Sequence, residues 1–381
     1  EITDPIEVPS DDGKIVIEIP AGGFQIPRCK VLSIAPVLTG EEIYEMQWSI
    51  GDSVISSQKE LEFIALNPGQ YSITLQATNS EQKKSTLDFT VTVKQEEKNY
   101  SPYITSIPEY KPAPGQFVNE LPKYEEGDTQ RAINQKVLEA IGYNTRGMIT
   151  LGGYGGYVIC GFDHTIVNVP GQYDLKILGN AFHANANPNP EAPEEGGSCE
   201  PGIVMVAYDR NKNGIADDDE WYELAGSEYN SPATTKNYTI TYYRPSSPKE
   251  DVKWTDNKGN EGYVYRNDYH TTNSYYPAWI KEDQITFHGS RLKDNTVNEP
   301  HENMPEHWVG YCYAWGYADN HPNGEEQCKF KIDWAVDKNG NPVVLDGIDF
   351  VRIYTAVNQN SGWMGEISTE LQAVEDLHFK K

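Results

Sequence analysis

The chain has 381 residues, with 57 acidic and 31 basic side chains that give a formal charge of -26. Such a field repels phosphate backbones and anionic headgroups and favours bound cations, which excludes nucleic-acid and membrane-surface roles as working readings. The length exceeds the usual single domain and predicts two, each large enough to bury its own core without disulfide support.

Residues 1–9 read as a tail whose polar opening at Glu1 predicts a mature or trimmed chain, and no stretch reaches the roughly 18 apolar residues of a membrane span. Residues 10–97 read as short strands, "KIVIEIP", "EMQWSI", "LEFIAL", "GQYSITLQATN" and "LDFTVTV", separated by Gly, Pro, Asn and Ser turns at the spacing of an all-β sandwich. In the fourth, Tyr71, Ile73, Leu75 and Ala77 share one face and Ser72, Thr74 and Gln76 the other, the pattern of a sheet with one buried side. "WSIGD" (48–52) and "NPGQYSITLQATN" resemble the PKD family, small immunoglobulin-like sandwiches of bacterial surface proteins that act as spacers or display platforms. Ser53 departs from the Gly-Asp-Gly that often continues that turn.

Residues 98–127 carry five prolines and no sustained period, which predicts an extended linker holding the domain boundary. "DTQRAINQKVLEAIG" then predicts one helix, with Asp128 as N-cap, a stripe of Ile133, Val137, Leu138 and Ile141, and Gly142 as stop. From there to residue 381, segments such as "YVICGF", "GIVMVAYD", "YTITYYRP" and "GIDFVRIYTAV" predict a larger, jelly-roll-like β-sandwich that binds a ligand. The chain is thus expected to be mainly β, an immunoglobulin-like sandwich followed by a larger one with a single short helix.

"VAYDRNKNGIADDDEWYEL" (206–224) matches the twelve-position EF-hand loop: Asp209, Asn211 and Asn213 at positions 1, 3 and 5, Gly214 at the sharp turn, the Ile215 carbonyl at 7, Asp217 at 9 and Glu220 at 12. Hard oxygen ligands at alternate positions converge only if the backbone curls, and Gly214 permits the curl. The flanks are an apolar β-branched run and a short segment broken by Gly226, so the loop is expected between strands, holding calcium to fix a long loop rather than to switch a helix pair.

Other chemical signals are weak. "LGGYGGY" (151–157) lacks the Gly-Lys-Ser/Thr of a phosphate cradle and reads as a tight turn. His301 and His307 of "HENMPEH" are six apart with Pro305 between them, which removes a zinc helix. The five cysteines contain no C-x-x-C pair; Cys312 with Cys328 is the bridge expected, and Cys160 reads as a buried small hydrophobe. No G-x-S-x-G nucleophile elbow exists, and among 57 acids a pair of carboxylates identifies no dyad. The 25 tyrosines and 8 tryptophans cluster at 269–279 and 308–317, where pleated strands explain them, and Trp363 stands alone in a Gly/Ser turn that predicts an exposed ring.

"PAPGQFVNELPKYEEGD", "LGGYGGYVICGFDHTI", "EPGIVMVAYDRNKNGIADDDEWYELAGSEY" and "IDFVRIYTAVNQNSGWMGEISTE" resemble a bacterial exported surface lipoprotein family that carries a PKD-like module in front of a β-sandwich. Its members belong to nutrient-uptake systems beside outer-membrane transporters for glycans or for cofactors such as corrinoids. The resemblance implies a non-catalytic, lipid-anchored protein at the outer cell surface that captures a glycan or another nutrient for a transporter. A glycan-active hydrolase or lyase is the alternative, and a structural adhesion protein the third reading. Ligand contacts are expected from Trp363, Glu366, Asn358 and Gln359, and calcium from the 209–220 loop.

Overall fold

Strand alternation decides the smaller unit in the computed structural model, which describes residues 6–8, 14–39, 45–184, 196–271, 273–300 and 302–379. The chain divides into two units, residues 1–100 and 101–381. In the first, Gly69–Thr78 pairs antiparallel with Lys84–Lys94, placing Ile73, Leu75 and Ala77 in the core and Tyr71 half-buried at its margin. These two strands sit inside a five-stranded sheet ordered Phe24–Pro27, Lys84–Lys94, Gly69–Thr78, Glu45–Ile50 and Ser53–Ser56. Trp48 is fully buried in that core and its indole N–H donates to the Gln58 carbonyl at 2.9 Å, so the ring's one polar atom is satisfied. Gly51, at φ +56, makes the turn that the Gly-Asp pair predicts.

The second unit is an antiparallel β-sandwich. One sheet runs Ser106–Lys111, Tyr157–Val167, Gly347–Thr355, Gly202–Ala207, Trp221–Leu224 and Ala335–Val336; another runs Glu261–Val264, Val252–Asp256, Thr235–Tyr243 and Gln284–Arg291. Both bury aromatic side chains between them: Tyr154 meets Tyr238 edge-on at 4.9 Å and Tyr157 meets Phe287 at 6.2 Å. The Tyr354 hydroxyl accepts from the Ser290 N–H at 2.9 Å, which fixes the sheets' spacing through a hydrogen bond as well as by packing. Most tyrosines of the two aromatic clusters lie in this core, including Tyr275, Tyr276, Tyr313 and Tyr317. "LGGYGGY" is the tight turn expected, with Gly152 and Gly155 at positive φ.

Three expectations are corrected. The proline-rich segment is no free linker, because Ile104, Ile107, Tyr110, Ala113 and Val118 are buried in the second unit's core. Ser106–Lys111 is an edge strand, and Pro108 falls in a register shift between Ser106 and Glu109, where its missing N–H breaks no ladder bond. The helix spans Gln130–Ile141 with Ile133, Val137 and Ile141 buried, but its N-cap is Thr129, whose hydroxyl accepts from the Ala132 N–H. Asp128 instead accepts from Glu125 N–H and pairs with Lys136 at 2.7 Å. Finally, Cys312 is bridged to Cys199, not to Cys328. Gly196–Ser198 pairs with Trp308–Tyr311, and this register brings the residues following each strand to a Cα separation of 5.4 Å across 113 residues of chain.

Because residues 104–118 supply core side chains, a chain of residues 101–381 is expected to keep a cooperative thermal transition with native near-ultraviolet circular dichroism, and one of residues 128–381 to lose both. Equal melting of the two would show that the segment only lies on the surface.

Candidate functional site

Three segments remote in sequence meet around Gln116. Its backbone N–H donates to Glu366 Oε1 at 2.7 Å, its side-chain amide donates to the Met364 carbonyl at 2.7 Å, and its side-chain oxygen accepts from Asn267. The 360–366 turn is thereby tied to the 115–117 loop and to the 266–276 loop. The turn itself is closed by Ser361 N–H to Gly365 O at 2.7 Å, with Gly362 at φ +59 and Gly365 at φ +94. A Cβ on Gly365 would stand 2.7 Å from the Gln116 amide nitrogen, and one on Gly362 would strike Trp308, so both positions need glycine for conformation and for space.

Trp363 rides on this turn with 47% of its surface exposed and meets Tyr269, itself 74% exposed, edge-on at 6.0 Å. The exposed indole expected from the Gly/Ser context is therefore present, beside a second aromatic from a loop about 90 residues away in sequence.

Beside the turn lies an open pocket of about 190 Å³, lined by Trp254, Tyr263, Tyr265, Asn358, Asn360 and Glu366, among others. Tyr263 and Tyr265 alternate along and just beyond the edge strand Glu261–Val264, their ring centroids 5.9 Å apart, and both are nearly half exposed. Trp254 lies across from Gly262, whose missing side chain leaves room for the indole. The structure thus gathers Asn358, Gln359 and Glu366 at one pocket; Trp363 is not among its lining residues. Gln359 has both ends of its amide engaged, accepting from Thr296 N–H at 3.0 Å and donating to Thr296 O at 2.6 Å, so it holds a strand edge. Trp254, Tyr263 and Tyr265 were not singled out from the sequence, where the alternation of "GYVY" (262–265) carries no mark of exposure.

Glu366 is the chemically distinctive member. It is buried, Oε1 accepts the Gln116 N–H, and Oε2 has no hydrogen-bond partner among the described residues. Burial disfavours its ionised form and pushes its pKa up to about 8, which favours a protonated carboxyl beside the pocket that Glu366 helps to line.

A second carboxyl cluster, also unanticipated, lies within the same unit. Glu200, Asp319 and Glu370 place carboxylate oxygens within 4.8 Å of one another, close enough to share a proton or a cation. Burial raises Glu200 to about 7 and Asp319 to about 8, and raises Glu370 well above the carboxylate range.

The 209–220 loop forms the tip of a hairpin in which Ala207 pairs with Trp221, as its β flanks require. Asp209 accepts from Asn213 N–H at 3.1 Å and Gly214 N–H at 2.8 Å, with Gly214 at φ +78. Asn211 and Asn213 both turn their amides onto Asp217, at 2.6 and 2.8 Å, and Glu220 closes the loop by accepting from Arg210 and Asp217 N–H. The Ile215 side chain is exposed, which leaves its backbone to the loop. The predicted side-chain ligands thus close one loop through hydrogen bonds, the Asn211 and Asn213 oxygens accepting from the Asn213 and Ile215 N–H groups, and oxygen donors of this kind suit a hard cation.

No family model matches the chain, and no curated protein matches it. Similar solved structures include a SusE-like protein, at 9% identity and TM-score 0.27 over 98% of this chain and 96% of that one. A carbohydrate-binding module of the β-sandwich superfamily aligns at 12% identity and TM-score 0.19, over 97% and 100% of the two chains. A Bacteroides ovatus protein of a mixed-linkage glucan utilization locus, in complex with a mixed-linkage heptasaccharide, aligns at 12% and 0.18, over 92% and 100%.

The buried carboxyls fix the sign of a pH dependence. In the unfolded chain they ionise near pH 4, whereas Glu366 keeps its proton when folded up to about 8, so its contribution is full at low pH and is lost as pH rises through that window. The melting temperature is expected to fall between pH 5 and pH 8, and Glu366→Gln to flatten part of that fall, measured by thermal denaturation in matched buffers. An identical slope in the variant would show that the carboxyl is ionised throughout.

Proposed function

We propose that the larger unit is a non-catalytic glycan-binding module of an exported, surface-anchored nutrient-uptake protein. The observation that carries this reading is the pocket in which Trp254, Tyr263 and Tyr265 surround a buried carboxyl with an unpartnered oxygen. Flat rings with polar edges stack on the apolar face of a pyranose, while Glu366 Oε2 and the Asn358 and Asn360 amides supply hydrogen bonds to its hydroxyls. At about 190 Å³ the pocket lies below the roughly 300–1,000 Å³ that encloses a drug-sized ligand, which favours one or two sugar rings over a corrinoid. A glycosidase needs two carboxyls about 5–10 Å apart across the scissile bond, and Glu366 alone among acidic residues lines this pocket, which favours a binder over a hydrolase. Trp363 and Tyr269 extend the aromatic surface for further rings of a chain.

In the same reading the 209–220 loop holds calcium through Asp209, Asn211, Asn213, the Ile215 carbonyl, Asp217 and Glu220. The ion serves to fix the hairpin tip, since two strands offer no helix pair to open.

Tyr265→Ala and Trp363→Ala are each expected to weaken glycan binding by about 2 kcal/mol with little change in melting temperature, measured by calorimetry against the best ligand of a glycan screen. Unchanged affinity in both variants would remove the aromatic surface as the site. For the loop, calcium at ~100 times its dissociation constant is expected to stabilise by about 2.7 kcal/mol, and Asp209→Ala to abolish the difference. Melting that ignores both calcium and chelator, with no metal by elemental analysis, would retire the ion.

A further inference from the structure

A larger cleft, about 610 Å³, opens between the six-stranded and four-stranded sheets and shares no lining residue with the aromatic pocket. Its floor includes a row across neighbouring strands, in which Arg352 pairs with Met205 and Met205 with Glu223. Arg352 sits mid-sheet and half-buried, its guanidinium 4.0 Å from the Tyr157 ring centroid. Its Nε is buried without a hydrogen bond, and no hydrogen bond or ion pair to the Arg352 side chain exists among the described residues. A guanidinium offers five N–H donors in a planar fork, and leaving the buried Nε–H unmatched is costly unless an acceptor arrives.

The remaining charges of the cleft are already engaged or are cationic. Glu223 accepts from Ser290 Oγ at 2.7 Å and lies 3.9 Å from Lys236. Asp337 is occupied by its own turn, accepting from the N–H groups of Asn339 at 2.8 Å and Asn341 at 2.9 Å. Against these two carboxylates the cleft presents Arg352, Lys236 and Lys338, a local cationic excess in a chain of formal charge -26. Lys236 reaches over the Tyr229 ring at 3.1 Å from its centroid, and Trp221 lines the same cleft half-buried, so ring faces stand beside the cations.

We propose that this cleft is a second binding site, for a saccharide bearing a carboxylate, in which Arg352 receives the carboxylate as a fork and Lys236 completes its neutralisation. The planar, monoanionic carboxylate matches both the fork and the cleft's net excess of one positive charge, and the rings of Trp221 and Tyr229 take the sugar body. The site stands independently of the aromatic pocket, and the two can succeed or fail separately.

The test is calorimetric titration of the full chain with galacturonate and glucuronate oligosaccharides, with glucose, a sulfated glucose, acetate and inorganic phosphate as comparisons. Uronates are expected to bind more tightly than glucose and acetate, with Arg352→Gln and Lys236→Met each weakening them about tenfold or more and Tyr265→Ala leaving them unchanged. Arg352→Lys, which keeps the charge without the fork, is expected to fall between wild type and Arg352→Gln. Should Arg352→Gln lower the melting temperature, Lys236→Met, at a half-exposed position, decides. The proposal is overturned by uronates that fail to bind, by affinity indifferent to Arg352→Gln and Lys236→Met, by glucose binding equally well, by preference for sulfate or phosphate, or by loss of uronate binding in Tyr265→Ala.

Discussion

The hydrogen bond from the Gln116 N–H to the buried carboxyl of Glu366 is the constraint on which the candidate site rests. It joins residues 250 positions apart and removes from water a group that ordinarily prefers it. The Glu366 carboxyl has room for that bond because Gly115 carries no Cβ, and Gly365 in turn leaves room for the Gln116 side-chain amide, which anchors Met364 and receives Asn267. One residue of a proline-rich stretch thus sets the position of the turn that raises Trp363 and of the loop that carries Tyr269. Such a site is organised before any ligand arrives, which lowers the entropy that binding must overcome.

The same burial that holds the bracket also determines its chemistry. A carboxylate in water would be ionised and hydrated; at the Glu366 position burial shifts the balance toward the neutral acid. Burial acts in the same direction on Glu200, Asp319 and Glu370, and for Asp319 and Glu370 the nearby charge of Glu200 adds to it. An acidic composition therefore says little about local potential in this protein. Among the many acids are carboxyls kept neutral by burial, and one cleft between the two sheets is lined by more cations than carboxylates.

Edge positions admit side chains that the central strands do not. Glu261–Val264 is an edge strand, so Tyr263 can stand clear of the core, and Ser106–Lys111 is an edge strand, so Pro108 is tolerated. Central strands carry the opposite burden: Gly347–Thr355 is buried along nearly its whole length, and Arg352 is its one cationic side chain, lifted toward the cleft between Tyr157 and Tyr354. Position in the sheet, more than residue type, separates packing from recognition.

Local periodicity alone determined the β class, the helix over residues 130–141, the tight glycine turn at 151–157, the β-flanked loop at 209–220 and the exposure of Trp363, because each depends on neighbours within a few residues. The Asp128 cap was one position off because Thr129 and Asp128 are both capping residues, and only the backbone turn chooses between them. The proline-rich segment looked like a linker because prolines forbid interior strands; that they lie at an edge and a register shift is a fact of strand order, which no local pattern encodes. The Cys199–Cys312 bridge, the aromatic pocket, the neutral carboxyls and the unmatched guanidinium of Arg352 were likewise decided by tertiary structure. Pairing, burial and dielectric environment arise from residues brought together across scores to hundreds of positions, and a linear sequence holds no record of which ones meet.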